Sequence, residues 1–232
     1  MDAGRQAEVA ARIPGAAALG LLAPPSAVVR PATLLADAGW TAELLSRRAR
    51  RQGTGDQRVV ATVWWYSASS VLVTPALAGL ATGIPLSARL ADLSLSLLAD
   101  GLPVAAVATA AGSDPSADLR TTLSAVVGAV AEAGRLRERP LWAVATDSIA
   151  NRLLDLGRAL GDVPGATALA ARLGAAVGPP LPAPRYVDVG GARFVRRASC
   201  CLVYLLPHGS LCTSCPHRSP AERRFLLERL VR

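Results

Sequence analysis

Residues 142–160 decide the fold, and they read WAVATDSIANRLLDLGRAL. The apolar residues recur every three or four positions, the spacing of one face of an α-helix. The apolar series is Trp142, Ala145, Ile149, Leu153, Leu156 and Leu160. The residues expected on the opposite, polar face are Asp147, Asn151, Asp155 and Arg158. The two aspartates lie about 12 Å apart along such a helix, which is too far for a general acid/base pair.

Similar patterns predict helices on both sides of this stretch. We expect helices at residues 33–51, from an N-cap at Asp114 onwards, and at residues 164–177. Residues 93–97 alternate strictly and are followed by Asp100-Gly101, so we expect a β-hairpin that returns through residues 104–107. The sequence therefore predicts a mainly α-helical, α+β fold with one small hairpin sheet.

Residues 59–88 carry no charge and are long enough to span a membrane. Pro75 and Pro85 both interrupt a helix interior, however. These breakers favour a buried helix that ends near Thr74-Pro75, followed by a short second helix, over a transmembrane span. The apolar run at residues 16–23 follows a poor export pattern, so we expect a cytoplasmic protein, with peripheral membrane contact left open.

The proline-rich residues 178–184 form the predicted domain boundary. They separate a helical domain, residues 1–184, from a C-terminal segment, residues 185–232. Eight arginines and two glutamates follow Val189, so this segment holds +6 of the +8 net charge. All four cysteines of the chain lie there as well. We therefore look for the function in this segment first.

Composition and motifs exclude several classes of protein. Hydrophobic residues make up 51% of the chain and charged residues 18%, the reverse of a disordered protein. The chain has no nucleophile elbow, no P-loop, no GxGxxG motif and only two histidines, His208 and His217. A hydrolase or a group-transfer enzyme would lack its catalytic parts.

The cysteines form the pattern C-C-x10-C-x2-C. A turn at residues 207–210 would bring the second pair back to the first. Buried inert thiols, disulfides, structural zinc and an iron–sulfur cluster are the candidate interpretations. A strand points adjacent side chains to opposite faces, so Cys200 and Cys201 reach a single zinc ion only if the backbone kinks. Spacing alone leaves zinc and iron–sulfur both open.

Residues 196–204 and 212–216 resemble the C-terminal signature of the FhuF-like ferric siderophore reductases. The resemblance implies a [2Fe–2S] cluster bound by Cys200, Cys201, Cys212 and Cys215. It implies an oxidoreductase acting on metal ions, which passes one electron to a ferric siderophore, expected to be a hydroxamate, and releases Fe(II). The helical domain would bind the siderophore, and an unidentified donor would supply the electron. The chain departs from the family at Pro207-His208-Gly209, where the family often has glycine.

Two other functions stay open at this point. One is a zinc-stabilised binding module with a basic C-terminal face, although the few aromatic residues there disfavour nucleic acid as a partner. The other is a plain [2Fe–2S] electron carrier. His208 and His217 are expected beside the cofactor or at the surface, and Arg196 and Arg197 are expected to raise its potential.

The chain after the last cysteine is expected to form a short helix. Its predicted start is a capping box at residues 219–222. Its predicted apolar face, which would seal the cysteine loop, consists of Phe225, Leu226 and Leu230. Its arginines are expected on the solvent side.

Overall fold

The computed structural model describes residues 3–231. Within this range the chain forms seven α-helices and two small antiparallel sheets, which confirms the predicted mainly α-helical class. The helices are α1 Ala3–Ala11, α2 Ala38–Gln52, α3 Gln57–Thr82, α4 Pro115–Gly134, α5 Glu138–Leu160, α6 Val163–Val177 and α7 Pro220–Leu230. The strands are β1 Val28–Pro31, β2 Leu93–Leu97, β3 Pro103–Ala108, β4 Tyr186–Val189 and β5 Ala192–Val195.

Helices α3 and α5 pack together at the centre of the core. The predicted apolar series of α5 is buried from Trp142 to Leu156. The indole Nε1 of Trp65 on α3 donates a hydrogen bond to the carbonyl of Leu141 at the start of α5 (2.8 Å). One turn further along, the hydroxyls of Ser69 and Ser148 lie 2.7 Å apart. These hydrogen bonds fix the register of α5 against α3. Helix α5 also contacts the cysteine segment, residues 197–217.

The predicted break at Pro75 is wrong, because α3 continues through it. Pro75 has no N–H to offer the carbonyl of Val71 four residues earlier. The Thr74 hydroxyl makes an additional hydrogen bond to the carbonyl of Ser70, next to the missing one (2.6 Å). Helix α3 is long and apolar enough to cross a membrane, but 83% of its most apolar window is buried inside the protein. Packing on all sides offsets the missing hydrogen bond, and the predicted burial is confirmed.

The three-stranded sheet contains the predicted hairpin. Strands β2 and β3 pair antiparallel, with Leu93 opposite Ala108. Strand β1, which the sequence analysis did not predict, pairs with the other edge of β2, with Val28 opposite Leu97. A second hairpin, β4–β5, was also missed, and it turns at Gly190 and Gly191, whose φ values are +57° and +80°. This second hairpin leads directly into the cysteine segment.

Helix α2 begins later than residue 33. Residues Ala32–Ala36 form a 3-10 turn, and the Asp37 carboxylate then accepts the N–H of Trp40 (2.9 Å) as the N-cap of α2. The caps predicted for α4 and α7 are confirmed: Asp114 accepts the N–H of Ala117, and Ser219 accepts the N–H of Glu222.

The predicted apolar face of α7 is wrong. Phe225 is 57% exposed and Leu230 is 64% exposed, whereas Leu227 is buried. The helix lies at the edge of the protein and contacts β4, so only a narrow strip of it is covered.

The proline-rich segment at residues 178–184 packs against the core. Leu181 is buried, and the Thr146 hydroxyl of α5 donates to the carbonyl of Pro182 (2.9 Å). Pro184 lies against Gly174 of α6. The division into two domains at residue 184 stays a prediction.

Two helical glycines give opposite predictions for stability. A Cβ at Gly79 of α3 would lie 2.6 Å from the Ile84 carbonyl oxygen and 2.7 Å from the Leu86 nitrogen, both of them backbone atoms. We expect Gly79→Ala to lower the free energy of unfolding by about 1–3 kcal/mol, as overpacking does. A Cβ at Gly128 of α4 meets nothing within 4 Å, so Gly128→Ala should raise it by about 0.5–1 kcal/mol. Urea denaturation measures both, and shifts of the same sign would contradict the packing of α3.

Candidate metal centre

The four cysteines come together as two pairs. The sulfurs of Cys200 and Cys215 lie 3.8 Å apart. The sulfurs of Cys201 and Cys212 each lie 3.5 Å from the same atom, Nη1 of Arg197. The neighbours Cys200 and Cys201 therefore face different partners. Leu202, which follows them, has a left-handed backbone (φ 61°), and the chain changes direction there.

A compact turn brings Cys212 and Cys215 back to Cys200 and Cys201, as predicted. Residues Val203–Leu205 form a 3-10 turn, and the N–H of Gly209 donates to the carbonyl of Leu206 (2.8 Å). A Cβ at position 209 would collide with the backbone carbonyl of Val203, so the turn requires glycine. The departure from the family pattern at residues 207–209 therefore keeps a glycine where the backbone needs one.

Asp147 of α5 holds the chain that enters the site. Its carboxylate accepts the N–H groups of Ala198 (2.7 Å) and Ser199 (3.1 Å), and Nε of Arg197 lies 3.4 Å away. Asp147, which was predicted on the polar face of α5, is only 1% exposed because the chain around Ala198 and Ser199 covers that face. Burial raises the pKa of Asp147, while the two backbone hydrogen bonds and Arg197 oppose that rise. Asp147 thus fixes the backbone just before Cys200.

Arg197 connects this carboxylate to the thiols. Its side chain is 4% exposed and lies over the ring of Tyr66 on α3, 4.9 Å from the ring centre. Burial disfavours its charge, but Cys201, Tyr66 and Asp147 outweigh that effect and raise the pKa of Arg197. Its Nη2 is buried and has no hydrogen-bond partner among the described residues. A group carrying further acceptors beside Cys201 and Cys212 would satisfy this donor.

Two arginines contact the backbone of Cys212 and Cys215 from the other side of the site. Arg218 donates to the carbonyls of Cys212 (3.0 Å) and Leu211 (2.8 Å). Arg223, in the first turn of α7, donates to the carbonyl of Cys215 (3.3 Å). The prediction that the arginines of this helix region face solvent is wrong for these two. The capping box at Ser219 was a usable signal, because it sets the start of α7 and so directs Arg223 back toward the loop.

The two histidines contact other parts of the segment. The ring of His217 packs edge-on against Tyr204, with 5.3 Å between the ring centres. His208 is exposed in the turn and has a left-handed backbone.

The donor set fits a two-iron cluster better than a single ion. Two thiolates bound about 2.3 Å from one tetrahedral metal lie about 3.8 Å apart, which is the separation of Cys200 and Cys215. Over residues 3–231, no three Cys, His, Asp or Glu side chains lie close enough together to hold one metal ion. Burial, together with the adjacent Cys215 thiol, raises the pKa of Cys200 to about 11. Without metal the Cys200 thiol therefore stays protonated, and binding of a metal at Cys200 must release its proton.

Comparison with known proteins gives one match. Residues 197–217 match the family model described as "FhuF 2Fe-2S C-terminal domain". The match covers a small part of the chain, but it includes all four cysteines and confirms the resemblance found in the sequence. It also supports a [2Fe–2S] cluster as the cofactor. No curated protein and no solved structure matches the chain.

Arg197 and Arg196 give a matched test of the electrostatics. A positive charge beside the cluster sulfurs stabilises the reduced, more negative state. We expect Arg197→Gln to lower the reduction potential clearly, because Arg197 is buried against two thiols. Arg196→Gln should have a much smaller effect, because Arg196 is exposed and its charge is screened. Electrochemical titration at equal iron content measures both potentials.

A conservative variant of Arg197 separates the effect of its charge from the effect of its packing. Arg197→Lys keeps the positive charge but loses the planar fork that reaches carboxylate and thiols together. Its potential should lie between those of the wild type and Arg197→Gln. Equal potentials for Arg196→Gln and Arg197→Gln would contradict a specific role for Arg197.

Proposed function

We propose, from the FhuF-type [2Fe–2S] segment at residues 197–217, that the protein is a ferric siderophore reductase. It would take one electron from a donor of lower potential and pass it to Fe(III) held by a siderophore, which then loses Fe(II). The observation that carries the proposal is the pairing of four thiols around a buried arginine inside the matched segment.

We further propose that Cys200, Cys201, Cys212 and Cys215 are the cluster ligands. Cys200 and Cys215 would bind one iron, since their separation suits a shared metal. Cys201 and Cys212, which share a contact with Arg197, would bind the other. All four are free thiols, as a reducing cytoplasm maintains, and we place the protein there.

The residues of the chain would position the cofactor and balance its charge. The bound [2Fe–2S] group supplies electrons one at a time. Arg197 stabilises added negative charge next to Cys201 and Cys212, and Asp147 keeps the guanidinium in place. Cys212 is exposed, which gives an electron partner access to the site.

Reduction alone is sufficient to release the iron. Fe(III) is a small, hard cation that hydroxamate oxygens bind tightly, whereas Fe(II) is larger, less charged and weakly held. The reaction needs no general acid, no general base and no nucleophile from the protein. This agrees with a site composed of four thiols, three arginines and one buried carboxylate.

The first test is the cofactor and its ligands. The purified protein should be red-brown, with about two iron and two sulfide per chain. Serine at any one of positions 200, 201, 212 or 215 should abolish or strongly reduce iron binding, because each thiol supplies a quarter of the ligation. Ser199→Ala, next to Cys200, is the matched control and should keep its iron. Normal iron content in a cysteine variant would remove that residue from the ligand set, and colourless protein with stoichiometric zinc would overturn the cluster.

The second test is the substrate. Stopped-flow spectroscopy, with a ferrous trap present, follows reoxidation of the reduced cluster by a ferric hydroxamate and by a ferric tris-catecholate. We expect the hydroxamate to react faster, because catecholate stabilises Fe(III) more strongly and makes reduction less favourable. Attraction of the catecholate complex to the basic segment raises its encounter rate but cannot reverse an unfavourable transfer. Faster oxidation by the catecholate would overturn the hydroxamate assignment, and no oxidation by either would indicate a plain electron carrier.

A further inference from the structure

A cavity of about 440 Å³ opens beside Cys200. Its walls come from the first turns of α3, from the turn that joins α4 to α5, and from the backbone around the first cysteine pair. The lining used below consists of Arg58, Arg135, Leu136, Arg137, Cys200 and Leu202. A molecule in this cavity would contact the sulfur of a proposed ligand directly.

The charge of the cavity is entirely positive. Arg58, Arg135 and Arg137 form no ion pair within residues 3–231, and no Asp or Glu lines the cavity. Guanidinium groups bind carboxylates through two parallel hydrogen bonds. The remaining wall, including Leu136 and Leu202, is largely apolar. The cavity therefore suits an anion that also has an apolar body.

The backbone holds two of these arginines in unusual positions. Arg135 ends α4 in the left-handed region (φ 52°), a position that helices usually give to glycine. The nearest glycine is Gly134, one residue earlier, where an added Cβ would lie 2.6 Å from the Cβ of Ala61 on α3. Arg137 occupies the N-cap of α5 but its side chain makes no capping hydrogen bond, so Arg137 leaves the first N–H groups of α5 uncapped. Uncapped N–H groups add partial positive charge to the same turn.

We propose that this cavity is the substrate site and that its substrate is a net-negative ferric hydroxamate that also carries carboxylates. The proposal rests on the reductase function proposed above. Hydroxamate coordination keeps the iron reducible, and the carboxylates supply the charge that the three arginines select. Cys200 lines the cavity, so a bound ferric complex would lie next to a proposed ligand of the cluster.

A second cavity, of about 500 Å³, is also lined by arginines, but a molecule bound there would not contact a cysteine directly. Asp188 lines it, and two of its arginines are already engaged: Arg223 with loop carbonyls and Arg224 with Glu228. It approaches the cysteine loop at Ser214 and Pro216 but includes no cysteine.

The test measures binding without electron transfer. Ga(III) replaces Fe(III) in the probes, because it has the same charge but is not reduced. Calorimetry on the iron-loaded protein compares the Ga(III) complex of a citrate-based dihydroxamate with a neutral Ga(III) trihydroxamate. We expect the anionic complex to bind on the order of tenfold more tightly, and the preference to shrink as salt is raised.

The variant Arg58→Gln/Arg135→Gln/Arg137→Gln should lose this preference, while the visible spectrum and the iron content of the protein stay unchanged. The matched control is Arg47→Gln/Arg50→Gln/Arg51→Gln, which removes three exposed arginines of α2 that do not line the cavity. Equal losses in the two triple variants would overturn the site in favour of general charge attraction. Equal binding of the two gallium complexes by the wild type would overturn the substrate class.

A single variant distinguishes binding from a structural role. Arg135→Gly should raise Tm, because glycine adopts the left-handed region without strain, and yet it should weaken binding of the anionic complex. Unchanged binding would remove Arg135 from the site.

Cluster reoxidation separates this proposal from the proposed reductase function. If the anionic ferric complex reoxidises the wild type and the triple variant equally well, the reductase function is supported and the cavity is not the substrate site. If neither protein is reoxidised while binding of the gallium complex depends on the arginines, the cavity is a binding site and the reductase function is contradicted.

Discussion

Asp147 and Arg197 form an ion pair whose side chains are 2% and 4% exposed, and through it the cysteine segment is attached to the helical core. A buried charge is strongly unfavourable unless it is paired and hydrogen-bonded. Asp147 meets that requirement with two backbone N–H groups of the segment, at Ala198 and Ser199. The backbone entering Cys200 can therefore take few other paths without leaving the carboxylate unsatisfied.

The same pair also orients the guanidinium. Nε of Arg197 faces the carboxylate, Nη1 faces the sulfurs of Cys201 and Cys212, and Cζ lies over the ring of Tyr66. A flexible lysine could supply the charge but could not meet these partners together. Arg218 and Arg223 then hold the second pair through its carbonyls. The donor set is thus positioned by α5 on one side and by the start of α7 on the other.

Several helices and one hairpin were predictable from the sequence because they depend on local patterns. The periodicity of α5, the caps of α4 and α7 and the hairpin β2–β3 all follow from neighbours in the chain. A helical wheel correctly places Asp147 off the main apolar stripe, but its partners lie about fifty residues later, so the local pattern could not show that it is buried. Pro75 was misjudged for a related reason, since packing around α3 from distant segments outweighs a local breaker. The cavity beside Cys200 is lined by α3, the α4–α5 turn and the cysteine segment, so no single stretch of the sequence predicts it.

Strand β1 has a consequence for how the chain folds. The hairpin β2–β3 closes a short loop, whereas the pairing of β1 with β2 brings Val28 to Leu97 and encloses α2 and α3 between them. Closing the longer loop has the larger entropic cost, and contacts distant in the chain form slowly. The hairpin can form first and leave the outer edge of β2 open until β1 arrives. In the finished sheet the outer edge belongs to β1, which is only four residues long and includes Arg30 and Pro31. A short strand with a charge and a proline is a poor template for another chain, so β1 also protects this edge of the sheet from intermolecular association.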